Sequence, residues 1–114
     1  MSTSANASRA DRLVSQLLTD DPGLRDIVQE FVENLATRVD DLKRAHAALD
    51  WEMLTTLAHR LKGAAGSYGY PDISKLCAEM ERQFQAHQAD QFARWITNLA
   101  DFTTAARAGL SEPR

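Results

Sequence analysis

Apolar residues recur at helical spacing along four long segments of the chain, and no segment alternates apolar and polar residues as a strand would. This periodicity predicts long helices over residues 24–48, 51–68, 72–86 and 90–108, and a short helix over residues 8–18. An amphipathic helix cannot bury its apolar stripe alone. We therefore predict an all-α fold, an antiparallel four-helix bundle with a short additional N-terminal helix.

Turn and capping residues lie between the periodic segments, where the predicted helices must end. Pro22-Gly23 precedes the second helix, Asp50 fits the N-cap of the third, and Gly69-Tyr70-Pro71 separates the third from the fourth. Gly109 fits the C′ position after the fifth helix. The 114 residues are enough for one domain with a real core, predicted over residues 8–110. Residues 1–7 are predicted to be a flexible N-terminus and residues 111–114 a C-terminal tail.

Charge and cysteine content exclude several classes of function. Thirteen basic and 16 acidic side chains give a net charge of -3, and the basic residues are interleaved with acids, so a nucleic-acid interface is not expected. No apolar run approaches the ~18 residues of a membrane span, and the polar N-terminus does not resemble a secretory signal. The single cysteine, Cys77, falls on an apolar helix face and is predicted to be buried and inert. Because a single cysteine cannot form an internal disulfide and is typical of a reducing compartment, we expect a cytoplasmic protein.

One face of the third predicted helix combines reactive and very small residues. At about 100° per residue, His59 lies almost opposite the apolar stripe, with Lys62 at the border of the same outward face. Gly63 and Gly66 lie on that face too, although each glycine costs roughly 1 kcal/mol relative to alanine inside a helix. We interpret the two glycines as clearing an approach to the imidazole for a partner surface.

The chemistry of this face suits a transferable phosphoryl group. An exposed imidazole is largely neutral at cellular pH, so a ring nitrogen offers a lone pair that can attack phosphorus without a base. A cation one helical turn away, Lys62, can neutralise the phosphoryl oxygens as they arrive.

Residues 59–69, HRLKGAAGSYG, resemble the H-x-L-K-G-(S/A)-(S/A)-x-x-Φ-G signature of histidine-containing phosphotransfer (HPt) domains, where Φ is apolar or aromatic. The resemblance implies that His59 accepts a phosphoryl group from a receiver-domain aspartate and passes it to another receiver in a two-component phosphorelay. It implies that Lys62 assists the phosphoryl group, that Gly63 permits docking, and that Gly69 ends the helix. Some members of the family place a glutamine near the histidine on the following helix. Glu81 takes that place here and would be a poor neighbour for a phosphate.

The expected partners are receiver domains and a hybrid histidine kinase, and the expected state is a monomer. No phosphate-binding glycine loop is present, so we expect a phosphoryl carrier and not an enzyme. We expect no cofactor of the chain's own, with Mg²⁺ supplied by the receiver. A metal site is not expected, because His46 and His87 have no neighbours at ligand spacing.

Two alternatives remain open at the level of sequence. The chain could be the phosphoacceptor domain of a chemotaxis-type histidine kinase, phosphorylated directly by an ATP-binding domain. It could also be a helical interaction module without phosphotransfer, although such a module would need neither His59 nor Lys62.

Overall fold

The computed structural model describes residues 13–111, and every regular element in that part of the chain is a helix. The elements are α1 Gln16–Asp20, a 3-10 turn Pro22–Leu24, α2 Arg25–Glu33, α3 Leu35–Ala47, α4 Trp51–Ser67, α5 Pro71–Gln85 and α6 Phe92–Ser111. The predicted all-α class is confirmed. The predicted flexible segment 1–7, the first residues of the predicted N-terminal helix and tail residues 112–114 lie outside the described residues.

Local capping signals set the boundaries of α4 and α5. The Asp50 carboxylate accepts a hydrogen bond from the Met53 backbone N–H at 3.1 Å, so Asp50 is the predicted N-cap of α4. Pro71 occupies the first turn of α5, where its missing N–H would have had no helical partner. Both helices begin and end within one residue of their predicted bounds.

The predicted second helix is two helices, so the prediction of one continuous helix was wrong. Asn34 separates α2 from α3, and its N–H is shared between the Glu30 and Phe31 carbonyl oxygens at 3.1 Å each. Such a shared bond tightens the chain locally without a glycine or proline. The apolar stripe continues across the break, from Phe31 to Leu35, which is why periodicity alone did not reveal it.

The chain is not helical over residues 13–15, which corrects the predicted N-terminal helix there; residues 16–18 of that prediction are helical and belong to α1. Tertiary hydrogen bonds hold this segment extended. The Leu13 N–H donates to the Ala105 carbonyl at 2.9 Å, and the Ser15 hydroxyl donates to the Tyr68 carbonyl at 2.6 Å. Ser15 also caps α1, because its Oγ accepts from the Leu18 N–H. The extended strip lies across the ends of α4 and α6.

Helix α6 continues past Gly109 to Ser111, so the predicted helix end at Gly109 was wrong. Gly109 instead allows another part of the chain to pack closely against α6. A Cβ at residue 109 would overlap the carbonyl oxygen of Leu13. The N-terminal strip can therefore lie directly against the backbone of α6 only because residue 109 has no side chain.

The core lies between the longer helices. Helix α4 packs against α3 and α5, and α6 packs against α2, α3 and α5. Cys77 is fully buried, as predicted, and burial raises the pKa of its thiol to about 12. Within residues 13–111, no helix is both long enough and apolar enough to span a bilayer.

Candidate functional site

His59 projects from the middle of α4 towards solvent, with its side chain 66% exposed. The opposite side of the helix carries Leu54, Ala58, Leu61 and Ala65, all buried. The outward direction inferred from helical spacing is thus the one that the structure has. An imidazole in this position is open to a partner.

Glu81 on α5 joins His59 and Lys62 through its two carboxylate oxygens. Its Oε2 lies 3.0 Å from His59 Nδ1, and its Oε1 lies 2.7 Å from Lys62 Nζ. Glu81 lies two helical turns after Ser74 on the same side of α5, and that side faces α4, because the Ser74 hydroxyl donates to the Lys62 carbonyl. The Glu81 side chain is only 15% exposed, although it carries a charge.

The hydrogen bonds to Glu81 determine its charge. The hydrogen bond from Lys62 is the largest influence and lowers the pKa of the Glu81 carboxyl below its usual value. Partial burial acts in the opposite direction, and the hydrogen bond with His59 lowers the pKa further. Glu81 is therefore ionised at neutral pH.

An ionised carboxylate can only accept hydrogen bonds, which fixes the tautomer of a neutral His59 ring. The proton must lie on Nδ1, where it is donated to Glu81 Oε2. The lone pair of the ring then lies on Nε2, the ring nitrogen that is not bonded to Glu81. The site therefore presents an oriented nucleophile to solvent, with one ammonium group next to it.

Gly63 and Gly66 differ in their surroundings. A Cβ at Gly63 would meet nothing within 4 Å, so the fold does not require a glycine there. A Cβ at Gly66 would lie 3.5 Å from Ser74 Oγ, an ordinary contact, so Gly66 lies along the junction of α4 with α5. The Ser74 hydroxyl closes that junction by donating to the Lys62 carbonyl at 2.9 Å. Access for a partner stays a prediction at both glycines.

In a comparison with protein-family models, residues 26–109 match the Hpt domain. The chain belongs to the Hpt domain family. The match runs from α2 into α6 and includes all three members of the His59, Lys62 and Glu81 cluster. Comparison with curated proteins and with solved structures gives no match.

Membership in the Hpt domain family indicates the general activity of this chain. Hpt domains carry a phosphoryl group on a histidine in two-component phosphorelays, and they interact there with receiver domains and histidine kinases. They are carrier modules more than catalysts in their own right.

In this Hpt domain, Gly69 follows α4 in a left-handed conformation, with φ +87°. The Tyr70 N–H donates to the Ala65 carbonyl at 2.8 Å and the Gly69 N–H to the Gly66 carbonyl at 3.3 Å. This is the Schellman pattern that closes a helix C-terminus. A Cβ at Gly69 would also lie 2.8 Å from Ser15 Oγ, so the same glycine makes room for the N-terminal strip.

The other two histidines of the Hpt domain lie against aromatic rings. His46 stacks on Phe92 with ring centres 3.8 Å apart, and His87 stacks on Trp51 with ring centres 5.1 Å apart. Within residues 13–111 no three His, Cys, Asp or Glu side chains are grouped so that they could hold a metal ion.

Proposed function

We propose that His59 Nε2 accepts a phosphoryl group from the phosphorylated aspartate of one receiver domain and transfers it to the aspartate of another. The observation that supports this most strongly is the hydrogen bond from Nδ1 to Glu81, which leaves an oriented lone pair on the exposed nitrogen. In the forward step Nε2 forms a bond to phosphorus as the bond from phosphorus to the aspartyl oxygen breaks. The aspartate leaves as a carboxylate, and Nδ1 keeps its proton.

Lys62 assists this step by electrostatic attraction. Its ammonium lies one helical turn from His59, and its side chain is 35% exposed, so it can turn towards phosphoryl oxygens at Nε2. Charge neutralisation of the moving phosphoryl group is the main assistance that such a transfer needs. In this proposal the Mg²⁺ ion comes with the receiver domain, and the chain needs no cofactor of its own.

Gly63 would let the receiver surface approach His59 closely. Its position is supported by the empty space around it, since an alanine would be accommodated by the chain itself. A residue that the fold does not need, but whose side chain would project beside the nucleophile, fits an access role. Gly66 lies further along α4 and would contribute at the edge of the same surface.

We also propose how the helices of the domain are arranged, its oligomeric state and its location. The contacts of α4 with α3 and α5, and of α6 with α3 and α5, fit an antiparallel four-helix bundle with α2 and α3 forming one of its four members. We further propose that the domain is a monomer and that it lies in the cytoplasm, where it would meet receiver domains.

The central experiment is phosphoryl transfer from a purified phosphorylated receiver with Mg²⁺. Wild-type protein should gain a phosphate that is labile in acid and stable in base, and His59→Gln should gain none. His87→Gln is the matched control, because it removes an imidazole that stacks on Trp51 at the beginning of α4 and is not part of the His59, Lys62 and Glu81 cluster, and it should accept phosphate normally. Transfer that persists in His59→Gln would refute the assignment.

A second experiment separates access from chemistry at Gly63. Gly63→Gln should lose transfer from the receiver, because a side chain would meet the approaching surface. The same variant should still be phosphorylated at His59 by phosphoramidate, a small donor that needs no docking. Normal transfer kinetics from the receiver would show that the glycine is not needed for docking.

A further inference from the structure

The ammonium group that would hold the phosphoryl oxygens already has a partner. Lys62 Nζ lies 2.7 Å from Glu81 Oε1, closer than the 3.0 Å between Glu81 Oε2 and His59 Nδ1. Within residues 13–111, His59 and Lys62 are the only basic side chains at ion-pair distance from Glu81. One lysine charge and one glutamate charge therefore balance locally before any phosphoryl group arrives.

A phosphoryl group on Nε2 would change this balance. It brings two negative charges next to a lysine that already neutralises a carboxylate, so two anionic groups compete for one cation. Lys62 must leave Glu81, or be shared with it, to contact the phosphoryl oxygens. The energy of that contact is reduced by whatever the ion pair with Glu81 contributes.

Glu81 also attracts the phosphorylated ring, and this attraction favours the phosphorylated state, whereas the competition for Lys62 disfavours it. The ring becomes cationic when Nε2 bonds to phosphorus, and the carboxylate at Nδ1 attracts that positive charge. The phosphoryl group carries twice the charge at roughly twice the distance from the carboxylate, so attraction and repulsion nearly cancel by Coulomb's law. The competition for Lys62 then decides whether Glu81 stabilises or destabilises the phosphorylated state.

We propose that Glu81 weakens the hold of this site on the phosphoryl group and so shifts the equilibrium between phosphohistidine 59 and the receiver's aspartyl phosphate towards the receiver. This inference rests on the proposed function and adds a direction to it. In the favoured step the bond from Nε2 to phosphorus breaks, the receiver's carboxylate oxygen bonds to phosphorus, and the lone pair returns to Nε2. Lys62 then pairs with Glu81 again.

Glu81→Gln isolates the charge. The amide oxygen of glutamine can still accept the hydrogen from Nδ1, while the negative charge that holds Lys62 is gone. Glu79→Gln is the matched control, because Glu79 lies on the same helix with an exposed side chain and makes the same change in net charge. The measurement is the equilibrium ratio of phosphohistidine to aspartyl phosphate, with the Hpt domain and one receiver at equal concentrations with Mg²⁺.

We expect the ratio to rise about two- to fivefold in Glu81→Gln, as the loss of a partly exposed ion pair predicts, and to stay unchanged in Glu79→Gln. A ratio that is unchanged or lower in Glu81→Gln would overturn the inference and leave the proposed function in place. A wild-type protein that takes no phosphoryl group would overturn both.

A double-mutant cycle gives a second measurement that depends on Lys62 itself. Lys62→Met should lower the ratio more in the Glu81→Gln background than in wild type, because only there is the ammonium free for the phosphoryl group. Equal losses in both backgrounds would show that the two residues do not compete.

Discussion

Replacing Gly109 with alanine should destabilise the protein, although alanine is the better helix former. The new Cβ would overlap the Leu13 carbonyl oxygen, so the N-terminal strip must move off α6. That movement breaks the hydrogen bond from Leu13 to Ala105, worth about 1 kcal/mol. It also exposes part of the Leu13 side chain, worth about another 1 kcal/mol.

Two further contacts of the strip join the same balance. If the shift spreads along the strip and into the first residue of α1, the hydrogen bonds of Ser15 with Tyr68 and of Gln16 with Gly69 break too. Their loss costs at most about a further 2 kcal/mol of stability. The gain in helix propensity returns at most about 1 kcal/mol. The net expectation is a loss of about 1–3 kcal/mol in the free energy of unfolding.

Gly63→Ala is the matched control for this prediction. It makes the same chemical change inside a helix, but nothing lies within 4 Å of the new Cβ. It should therefore raise the free energy of unfolding by up to about 1 kcal/mol. Urea denaturation followed by circular dichroism measures both variants. If Gly109→Ala is as stable as wild type or more so, the strip does not lie against α6 at this residue.

Three more measurements test buried and paired groups. Tyr70 is buried and its hydroxyl has no hydrogen-bond partner within residues 13–111, so Tyr70→Phe should leave stability unchanged or raise it by up to about 1 kcal/mol; a clear loss in urea denaturation would mean the hydroxyl is satisfied. Cys77 should react with a thiol reagent only after denaturation, because burial raises its pKa to about 12; rapid labelling of native protein would contradict its burial. Glu81→Gln should be less stable than wild type by about 0.2–1 kcal/mol at neutral pH. The pKa of Glu81 is lowered in the folded state, so this difference is full above about pH 4.3 and disappears as pH falls through the lowered pKa; a difference that survives at lower pH would not come from the charge.

Signals that act within one helix were readable from the sequence. The cap at Asp50 and the turn around Gly69 depend on the chain's own neighbours, and both are where the pattern predicted them. The outward direction of His59 follows from spacing along α4 and was predicted for the same reason.

Features that depend on a second element were not readable in this way. Gly109 has the composition of a helix end, yet its lack of a side chain accommodates Leu13 from the other end of the chain. The strip before α1 has an apolar pattern that suits a helix, but hydrogen bonds to Tyr68 and Ala105 hold it extended. Such contacts override local propensity.

Glu81 shows the same limit at the candidate site. The family resemblance put residue 81 beside the histidine, and its charge then argued against a role. The structure shows that a carboxylate can lie there because it has Lys62 and Nδ1–H as partners. Which side chains satisfy one another across α4 and α5 depends on how far apart the two helices lie, and a single sequence does not contain that distance.

The cluster of His59, Lys62 and Glu81 is assembled from two consecutive helices, with the histidine and the glutamate only 22 positions apart in the sequence. The N-terminal strip is held by contacts that span far more of the chain, such as the hydrogen bond between Ser15 and Tyr68, which are 53 positions apart. Contacts between close neighbours along the chain form early and cost little loop entropy. Thermal fraying of the strip should therefore leave the α4–α5 pair closed, so that hydrogen exchange is fast near residue 13 while His59 keeps its geometry.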